Sequence, residues 1–301
     1  MAACIKMSMS SLDTISSVNF LTLLLFCNAF KSSIQEPPVV VFNATRGFCV
    51  LLKFFAICNN LGDMSTLYIV GTPIGNLDDI TLRAIRTLKE VPVIACEDTR
   101  HTQTMLTHLE ITGKRLIACH AHNEAASSHG IVNLLDQGLD VAYVSDAGTP
   151  GVSDPGSRLV RTVRAAGYDV VPIPGASACV TLISASGLAG KTFTFEGFLS
   201  PKSGRRKNRL KELLSRDEAF IIYESPFRVV KLLDELNELC PDRSLVLGRE
   251  LTKAFEQIIS GTPLQVKTDL KIVKGEFALC ILPSANAKDS GDEDEDFGEG
   301  R

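Results

Sequence analysis

The feature that most constrains the fold is the alternation of short apolar runs with amphipathic segments from residue 66 onwards. The run "LYIV" precedes "ITLRAIRTLKEV", in which Leu82, Ile85 and Leu88 are spaced to share one helix face, and "VPVIAC" follows. The order recurs later, where "VAYV" precedes a helical pattern that stops at Gly167 and "DVVPI" comes next. Strands that alternate with helices predict βαβ units and a largely parallel sheet.

A second block of strand and helix patterns begins near residue 191, with no long linker before it. We therefore predict an α/β protein with an N-terminal domain over 64–176 and a C-terminal domain over 177–284. Because nothing separates the two blocks, the domains are expected to pack tightly and share a cleft.

Both ends of the chain differ from this body. Residues 1–63 hold four of the nine cysteines and seven of the fifteen phenylalanines, and "VNFLTLLLFCNAF" has the length of a signal-peptide core. A targeting segment and a translation start at Met64 both remain open for this extension, and we favour the second. Residues 285–301 are predicted to be a disordered acidic tail, because a run of like charge cannot bury enough apolar surface.

The body of the chain has the pattern of a cytoplasmic enzyme, so neither export nor a membrane partner is expected. Residues 289–301 carry seven acidic residues and one arginine, so the rest of the chain is close to neutral. The cysteines form no CxxC pair or zinc-finger spacing, and their odd number favours reduced thiols over a disulfide framework.

Chemically interesting residues follow each predicted strand of the first block. In a parallel sheet, ligands bind beyond the carboxyl ends of the strands, so these segments predict the site. They are "GTPIGN" (71–76), "EDTR" (97–100), "HAHNE" (120–124), "SDAGTPG" (145–151) and "PGAS" (174–177).

The glycines in these segments allow two interpretations. Gly71, Gly75, Gly148 and Gly151 either let the backbone approach a ligand or simply make tight turns. Neither a G-x-G-x-x-G fingerprint nor a GxxxxGK[ST] loop occurs at these turns. The sequence therefore does not favour binding of a dinucleotide or a nucleoside triphosphate.

"HAHNE" contains His120, His122 and Glu124, which are either metal ligands or polar residues lining a pocket. Because no third convincing ligand accompanies them, we expect no metal site. Glu97 and Asp98 are similarly either proton-transfer groups or caps of the following helix.

The segment "KSGRRKNRLK" (202–211) carries six cations in a body that is otherwise near neutral. Such a cluster suits contacts with RNA phosphates, and the alternative is a solvated helix face.

Nine motifs occur in the order found in one known family: "LYIVGTPIGNLDDIT", "EDTRHT", "HAHNE", "VSDAGTPGVSDPG", "VPIPGAS", "EGFLSPK", "YESPFR", "RELTKAFE" and "KGE". The chain resembles the ribosomal RNA small subunit methyltransferase I family of the tetrapyrrole methylase superfamily. The resemblance implies S-adenosylmethionine bound between a parallel-sheet and a mixed-sheet domain, usually in a homodimer. It also implies methylation of the ribose 2′-hydroxyl of a cytidine in the decoding region of small-subunit ribosomal RNA.

The resemblance also assigns residues. The residues implied to contact the cofactor are Ile74, Gly75, Ala147, Gly148, Thr149, Val152, Ser177, Ala178, Glu224 and Leu251. Because the methyl group of a sulfonium is already a strong electrophile, the reaction needs placement of the hydroxyl and at most a base. Candidates for that base are Glu97, Glu124 and Lys253. The candidate RNA-binding residues are Arg100, Arg205, Arg206, Lys207, Arg228 and Arg249.

The sequence departs from the family where the segment between "ISGTP" and "KGE" is shorter than usual, which puts the late helix of the second domain in question. Two other functions stay open. One is a methylase that acts on a porphyrinoid small molecule, and the other is an RNA-binding relative without catalytic activity.

Overall fold

Residues 66–173, called the first half below, fold around a five-stranded parallel sheet, as the βαβ pattern predicts. The computed structural model describes residues 65–188 and 192–284, so the N-terminal extension and the acidic tail lie outside the described residues. The strands are β1 (Thr66–Val70), β2 (Val93–Cys96), β3 (Arg115–Ala118), β4 (Val141–Val144) and β5 (Asp169–Ile173), in the order β3-β2-β4-β1-β5. The connecting helices are α1 (Leu82–Glu90), α2 (Thr99–His108), α3 (Glu124–Leu135) and α4 (Ser157–Ala165).

Local side chains fix where these helices begin. The Thr81 hydroxyl accepts a hydrogen bond from Ala84 N, and the Asp98 carboxylate accepts one from Arg100 N, which satisfies free amides in the first turns of α1 and α2. Leu88 of α1 is buried and Ile85 packs against the same core, as predicted for this helix face. Leu82, the first residue of the helix, is the exception and is 81% exposed.

Residues 178–284, called the second half below, are built on a mixed sheet, which confirms that part of the predicted fold. A helix α5 (Ala178–Ser184) leads into β6 (Phe193–Phe198), β7 (Ala219–Glu224), β8 (Leu245–Arg249), β9 (Gln257–Gly261) and β10 (Phe277–Ile281). The sheet order is β6-β7-β10-β8-β9, with β6 parallel to β7 and the other pairs antiparallel. Its helices are α6 (Ser203–Ser215), α7 (Val229–Leu239) and α8 (Pro263–Asp269).

The late helix is retained despite the short segment around it. Helix α8 begins at a capping box, in which the Thr262 hydroxyl accepts from Gln265 N and the Gln265 side chain accepts from Thr262 N. Pro263 occupies the first turn, and Val266 is fully buried in the apolar core formed by residues of the mixed sheet and its helices. The shortening therefore leaves one capped helix of seven residues.

One apolar cluster joins the two halves. Ile74, from the loop after β1, packs with Leu182 of α5 and with Leu251, which follows β8. Because Ile74 follows a strand of the first sheet and Leu251 follows a strand of the second, the cluster holds the first loop of one half against the other. Across residues 65–188 and 192–284, no helix combines the length and the apolar character needed to cross a bilayer.

Candidate active site

A cavity of about 330 Å³ lies where the loops of the two halves meet, beyond the carboxyl ends of β4 and β7. Its volume falls within the range of roughly 300–1,000 Å³ for small-molecule sites. Nine of the ten residues expected to contact the cofactor line it: Ile74, Ala147, Gly148, Thr149, Val152, Ser177, Ala178, Glu224 and Leu251. The structure therefore brings together segments that are far apart in the sequence.

The tenth residue, Gly75, lies outside the cavity wall, in a neighbouring groove beside Lys253. A Cβ added to Gly75 would stand only 2.3 Å from Lys253 Cγ. Glycine here therefore lets the first loop pack against the segment that follows β8.

Gly148 holds the loop after β4 against the loop after β1. Its amide donates to Thr72 O at 3.1 Å, and its carbonyl accepts from Thr72 N at 2.9 Å. Its φ of +79° lies in the left-handed region, and a Cβ there would meet Ile74 Cγ2 at 3.2 Å. This position requires glycine both for its backbone and for the space beside the cavity.

Glu224 supplies a buried carboxylate to the cavity wall. Glu224 is 2% exposed, and its Oε1 atom accepts hydrogen bonds from Ser225 N at 2.7 Å and from Arg228 Nε at 2.8 Å. No donor from the described part of the chain reaches Oε2, which is also buried. Since a buried polar atom without a partner is costly, Oε2 suits a ligand that donates a hydrogen bond.

Sequence reasoning missed two carboxylates that line the cavity, Asp154 and Glu276. Asp154 lines the wall, although only the neighbouring "AGTPGV" had been assigned to it. Burial raises the pKa of Asp154; a hydrogen bond with Ser145 opposes the rise, and the carboxylates of Asp146 and Glu276 add to it. The string "SDPG" right after the glycine loop was the available signal.

Comparison with known proteins identifies the family to which this architecture belongs. The pattern of the Tetrapyrrole (Corrin/Porphyrin) Methylases matches residues 66–265. Ribosomal RNA small subunit methyltransferase I of Neisseria meningitidis serogroup B is 44% identical, over 75% of this chain and 79% of that protein. The Bacillus subtilis protein of that name is 42% identical, over 80% of this chain and 82% of its own. This chain belongs to the ribosomal RNA small subunit methyltransferase I family.

Solved structures of more distant methylases share the fold. Diphthine synthase is 17% identical, with a TM-score of 0.59 over 72% of this chain and 90% of that one. Uroporphyrin-III-C-methyltransferase from Thermus thermophilus is 19% identical, with a TM-score of 0.52 over 72% of this chain and 94% of that one. These likenesses extend the α/β architecture of the family to remote relatives and carry no statement about substrate.

The three candidate bases of this family member have different surroundings. The Glu124 Oε1 atom accepts from the backbone amides of Gly156, Arg158 and Leu159 at 3.0, 3.0 and 3.2 Å, so this carboxylate caps α4. These three hydrogen bonds occupy Oε1 and hold the carboxylate at the start of α4. The structure therefore gives Glu124 a structural role.

Lys253 and Glu97 also lie away from the cavity wall. Burial lowers the pKa of Lys253, but its hydrogen bonds to Glu250 and Glu276 outweigh that effect, and the net shift is upward. Lys253 is therefore an ammonium group at neutral pH. Burial raises the pKa of Glu97, and the carboxylates of Asp146 and Asp154 raise it further.

His120 and His122 stack edge to face with ring centroids 6.0 Å apart. In the described ranges, no three His, Cys, Asp or Glu side chains are grouped to hold a metal ion.

The structure separates the candidate RNA-binding cations by exposure. Arg205 is exposed, and the Arg100 side chain is 90% exposed beside Asp98. Lys207 pairs with Glu238. Arg228 pairs with Glu224.

Two members of the set need correction because they are buried. Arg206 is 1% exposed, and its guanidinium bonds both oxygens of Glu235. Arg249 is 5% exposed and donates to Gln257 Oε1, Phe255 O and Lys274 O. Both guanidinium groups are buried and bonded to partners within the protein, which indicates structural roles for both.

Adjacent arginines on α6 allow a direct test of this correction. Arg206→Ala is expected to lower the free energy of unfolding by about 3–5 kcal/mol, because it leaves the Glu235 carboxylate buried without its counter-charge. Arg205→Ala is the matched control and should change stability by no more than about 0.5 kcal/mol. Urea unfolding followed by circular dichroism measures both, and equal stability of the two variants would contradict the structural role of Arg206.

Proposed function

We propose that this protein transfers the methyl group of S-adenosylmethionine to the ribose 2′-hydroxyl of a cytidine in the decoding region of small-subunit ribosomal RNA. The observation that carries the proposal is the convergence of nine of the ten expected cofactor residues on one cavity. The family membership supplies the class of substrate, since the relatives at 42–44% identity are named as ribosomal RNA methyltransferases.

The cavity fits the cofactor by its chemistry. S-adenosylmethionine has hydroxyl and amino donors, and Glu224 Oε2 is a buried acceptor without a protein partner among the described residues. Gly148 leaves the loop after β4 without a side chain where it borders the cavity. When bound, the cofactor supplies a methyl group already activated by a positively charged sulfur.

The protein then has two tasks, which are to place the acceptor hydroxyl in line with the methyl group and to accept its proton. We assign the second task to Asp154, because it lines the cavity and, within the described ranges, forms no ion pair. Its raised pKa makes it a better proton acceptor than an ordinary exposed aspartate. Glu97 remains the alternative carboxylate.

The proposal includes a homodimer that acts in the cytoplasm on the small ribosomal subunit. The homodimer follows from the family resemblance, and sedimentation equilibrium of the purified protein checks it.

The experiment that tests the reaction uses small ribosomal subunits from cells that lack this protein. We expect methyl-labelled S-adenosylmethionine to transfer label to the RNA, and nuclease mapping to place it on the ribose of one decoding-region cytidine. Label on a porphyrinoid acceptor such as uroporphyrinogen, with none on RNA, would overturn the proposal in favour of a small-molecule methylase. Cofactor binding without transfer to either acceptor would favour a relative that only binds RNA.

A further inference from the structure

Exposed apolar side chains surround the mouth of the cavity. Phe198 and Val152 belong to its lining and are 60% and 49% exposed. Phe227 follows directly after the lining residues Ser225 and Pro226 and is 95% exposed. Single exposed apolar residues are common on proteins, but a group at the entrance of a binding site indicates a partner that covers it.

A β-bulge directs Phe198 to this mouth. The register of β6 against β7 shifts between Phe195 and Gly197, where Gly197 has a φ of +68°. Residues three apart in a regular strand point to opposite faces, but the extra residue lets Phe195 and Phe198 both contact Tyr223. Their ring centroids lie 5.0 and 5.8 Å from that of Tyr223, in edge-to-face geometry.

The turn after β7 holds Phe227 beside the same mouth. Because β6 and β7 are parallel neighbours, Phe198 and the residues after Glu224 leave the sheet at one edge. Glu224 and Arg228 lie before and after Phe227 in the chain, and their ion pair, with an N···O distance of 2.6 Å, holds the ends of this turn together. The backbone is thereby anchored while the ring stays in solvent.

Exposed cationic residues follow Phe198 closely in the sequence. Lys202 and Arg205 are exposed and make no ion pair within residues 65–188 and 192–284. Arg206 holds the connecting loop in place, since Nη1 donates to Ser200 O and Pro201 O, both at 3.2 Å. The buried pair of Arg206 with Glu235 thus positions the segment that carries Phe198 at one end and free cations at the other.

We propose that Phe198 and Phe227 form a stacking site for an unpaired nucleobase of the RNA substrate, with Lys202 and Arg205 contacting neighbouring phosphates. This inference rests on the proposed function. Single-stranded RNA is bound by aromatic rings that stack on splayed bases and by cations that follow the backbone. A ribose can reach the buried cavity only if its base leaves the RNA stack, and the aromatic mouth supplies a surface for that base.

The decisive variants are Phe227→Ala, Phe227→Leu and Phe227→Trp, because Phe227 does not itself line the cavity. The assay is methyl transfer to small ribosomal subunits, with kcat and KM determined separately, together with calorimetry of S-adenosylmethionine binding. Phe227→Ala and Phe227→Leu are expected to lower kcat/KM by about 5- to 150-fold, the effect of losing one base–aromatic stack. Phe227→Trp should retain activity, and all three should bind the cofactor as the wild type does.

Phe193→Ala provides the matched control, since Phe193 is 42% exposed at the opposite end of the same strand β6. We expect its kcat/KM to stay near that of the wild type. Full activity of Phe227→Leu would overturn stacking, because leucine keeps the apolar surface without the ring. A change in sedimentation mass of Phe227→Ala would also overturn it and would assign the ring to an interface with a second copy.

Failure of the proposed function gives a different result. If the wild type transfers no methyl group to the subunits, the proposed reaction fails whatever the variants do. The stacking site is then tested by fluorescence anisotropy with a labelled single-stranded oligocytidine. The stacking site is supported if Phe227→Ala and Phe227→Leu weaken binding and Phe227→Trp retains it. Equal binding by all variants overturns it.

Discussion

Gly148→Val is expected to abolish S-adenosylmethionine binding in a protein that still folds. The substitution places a β-branched residue at a φ of +79°, a conformation that such residues almost never adopt. It also drives a side chain toward Ile74 Cγ2 and Ala176 O, which lie 3.2 and 3.5 Å from the position of the Cβ. Because Ile74 and Gly148 both line the cavity, any shift that relieves the contact alters the cofactor site. Calorimetry with S-adenosylmethionine measures the loss.

The control for Gly148→Val is Gly138→Val. Gly138 follows α3 with a φ of +82°, and nothing lies within 4 Å of its Cβ position. Both variants carry a backbone cost of roughly 1–2 kcal/mol, so they should lose similar stability from strain. Only the first should lose the cofactor. Retained binding in Gly148→Val, at wild-type affinity, would remove the glycine loop from the cofactor site.

The fold was predictable from local patterns, and so were the loops of the first half that line the cavity, whereas Glu224 and Leu251 were assigned through the family resemblance. Short apolar runs that alternate with amphipathic segments specify strands and helices, and the carboxyl ends of parallel strands must meet at one edge. The loops that carry Ile74, Gly148 and Ser177 follow β1, β4 and β5, so their convergence follows from topology. Their assignment to the cofactor remains a prediction that the binding experiments above test.

The errors arose where a residue's role depends on a distant partner. Six cations within 202–211 look alike in the sequence, yet Arg206 is buried because Glu235 lies across from it, 29 residues away. Arg249 is buried because its donors reach backbone carbonyls after β8 and before β10. Charge density alone cannot show which guanidinium groups such partners occupy.

Backbone strain around the cavity gave no sequence signal either. Leu251, a lining residue, lies between Glu250 and Thr252, whose φ values are +51° and +66°. Sequence reasoning expects glycine or asparagine at such positions, and "RELTK" contains neither. The Glu250 carboxylate holds this turn by accepting from Lys253 Nζ and Glu276 N, both at 2.9 Å. Strain of this kind persists where the surroundings enforce it, and it often accompanies functional sites.

Asp154→Asn is expected to lower kcat by about 10²- to 10⁴-fold, the usual effect of losing a positioned proton acceptor. Asparagine keeps the shape of the side chain, so affinity for S-adenosylmethionine should stay unchanged. The wild-type kcat should fall as the pH drops through the raised pKa of Asp154, because the protonated carboxyl accepts no proton. In Asp154→Asn this acid limb should disappear. Single-turnover methyl transfer across a pH series measures both effects.

Stability separates a catalytic role of Asp154 from a structural one. Its pKa is raised in the folded state, so the carboxyl stabilises the fold at low pH, and this contribution is lost as the pH rises through the folded pKa. Asp154→Asn should therefore unfold at an equal or higher temperature than the wild type at neutral pH, and this difference should shrink as the medium is acidified. Glu97→Gln is the matched control, because Glu97 also has a raised pKa but lies outside the cavity lining. A large loss of kcat in Glu97→Gln, with full activity in Asp154→Asn, would transfer the role of base to Glu97.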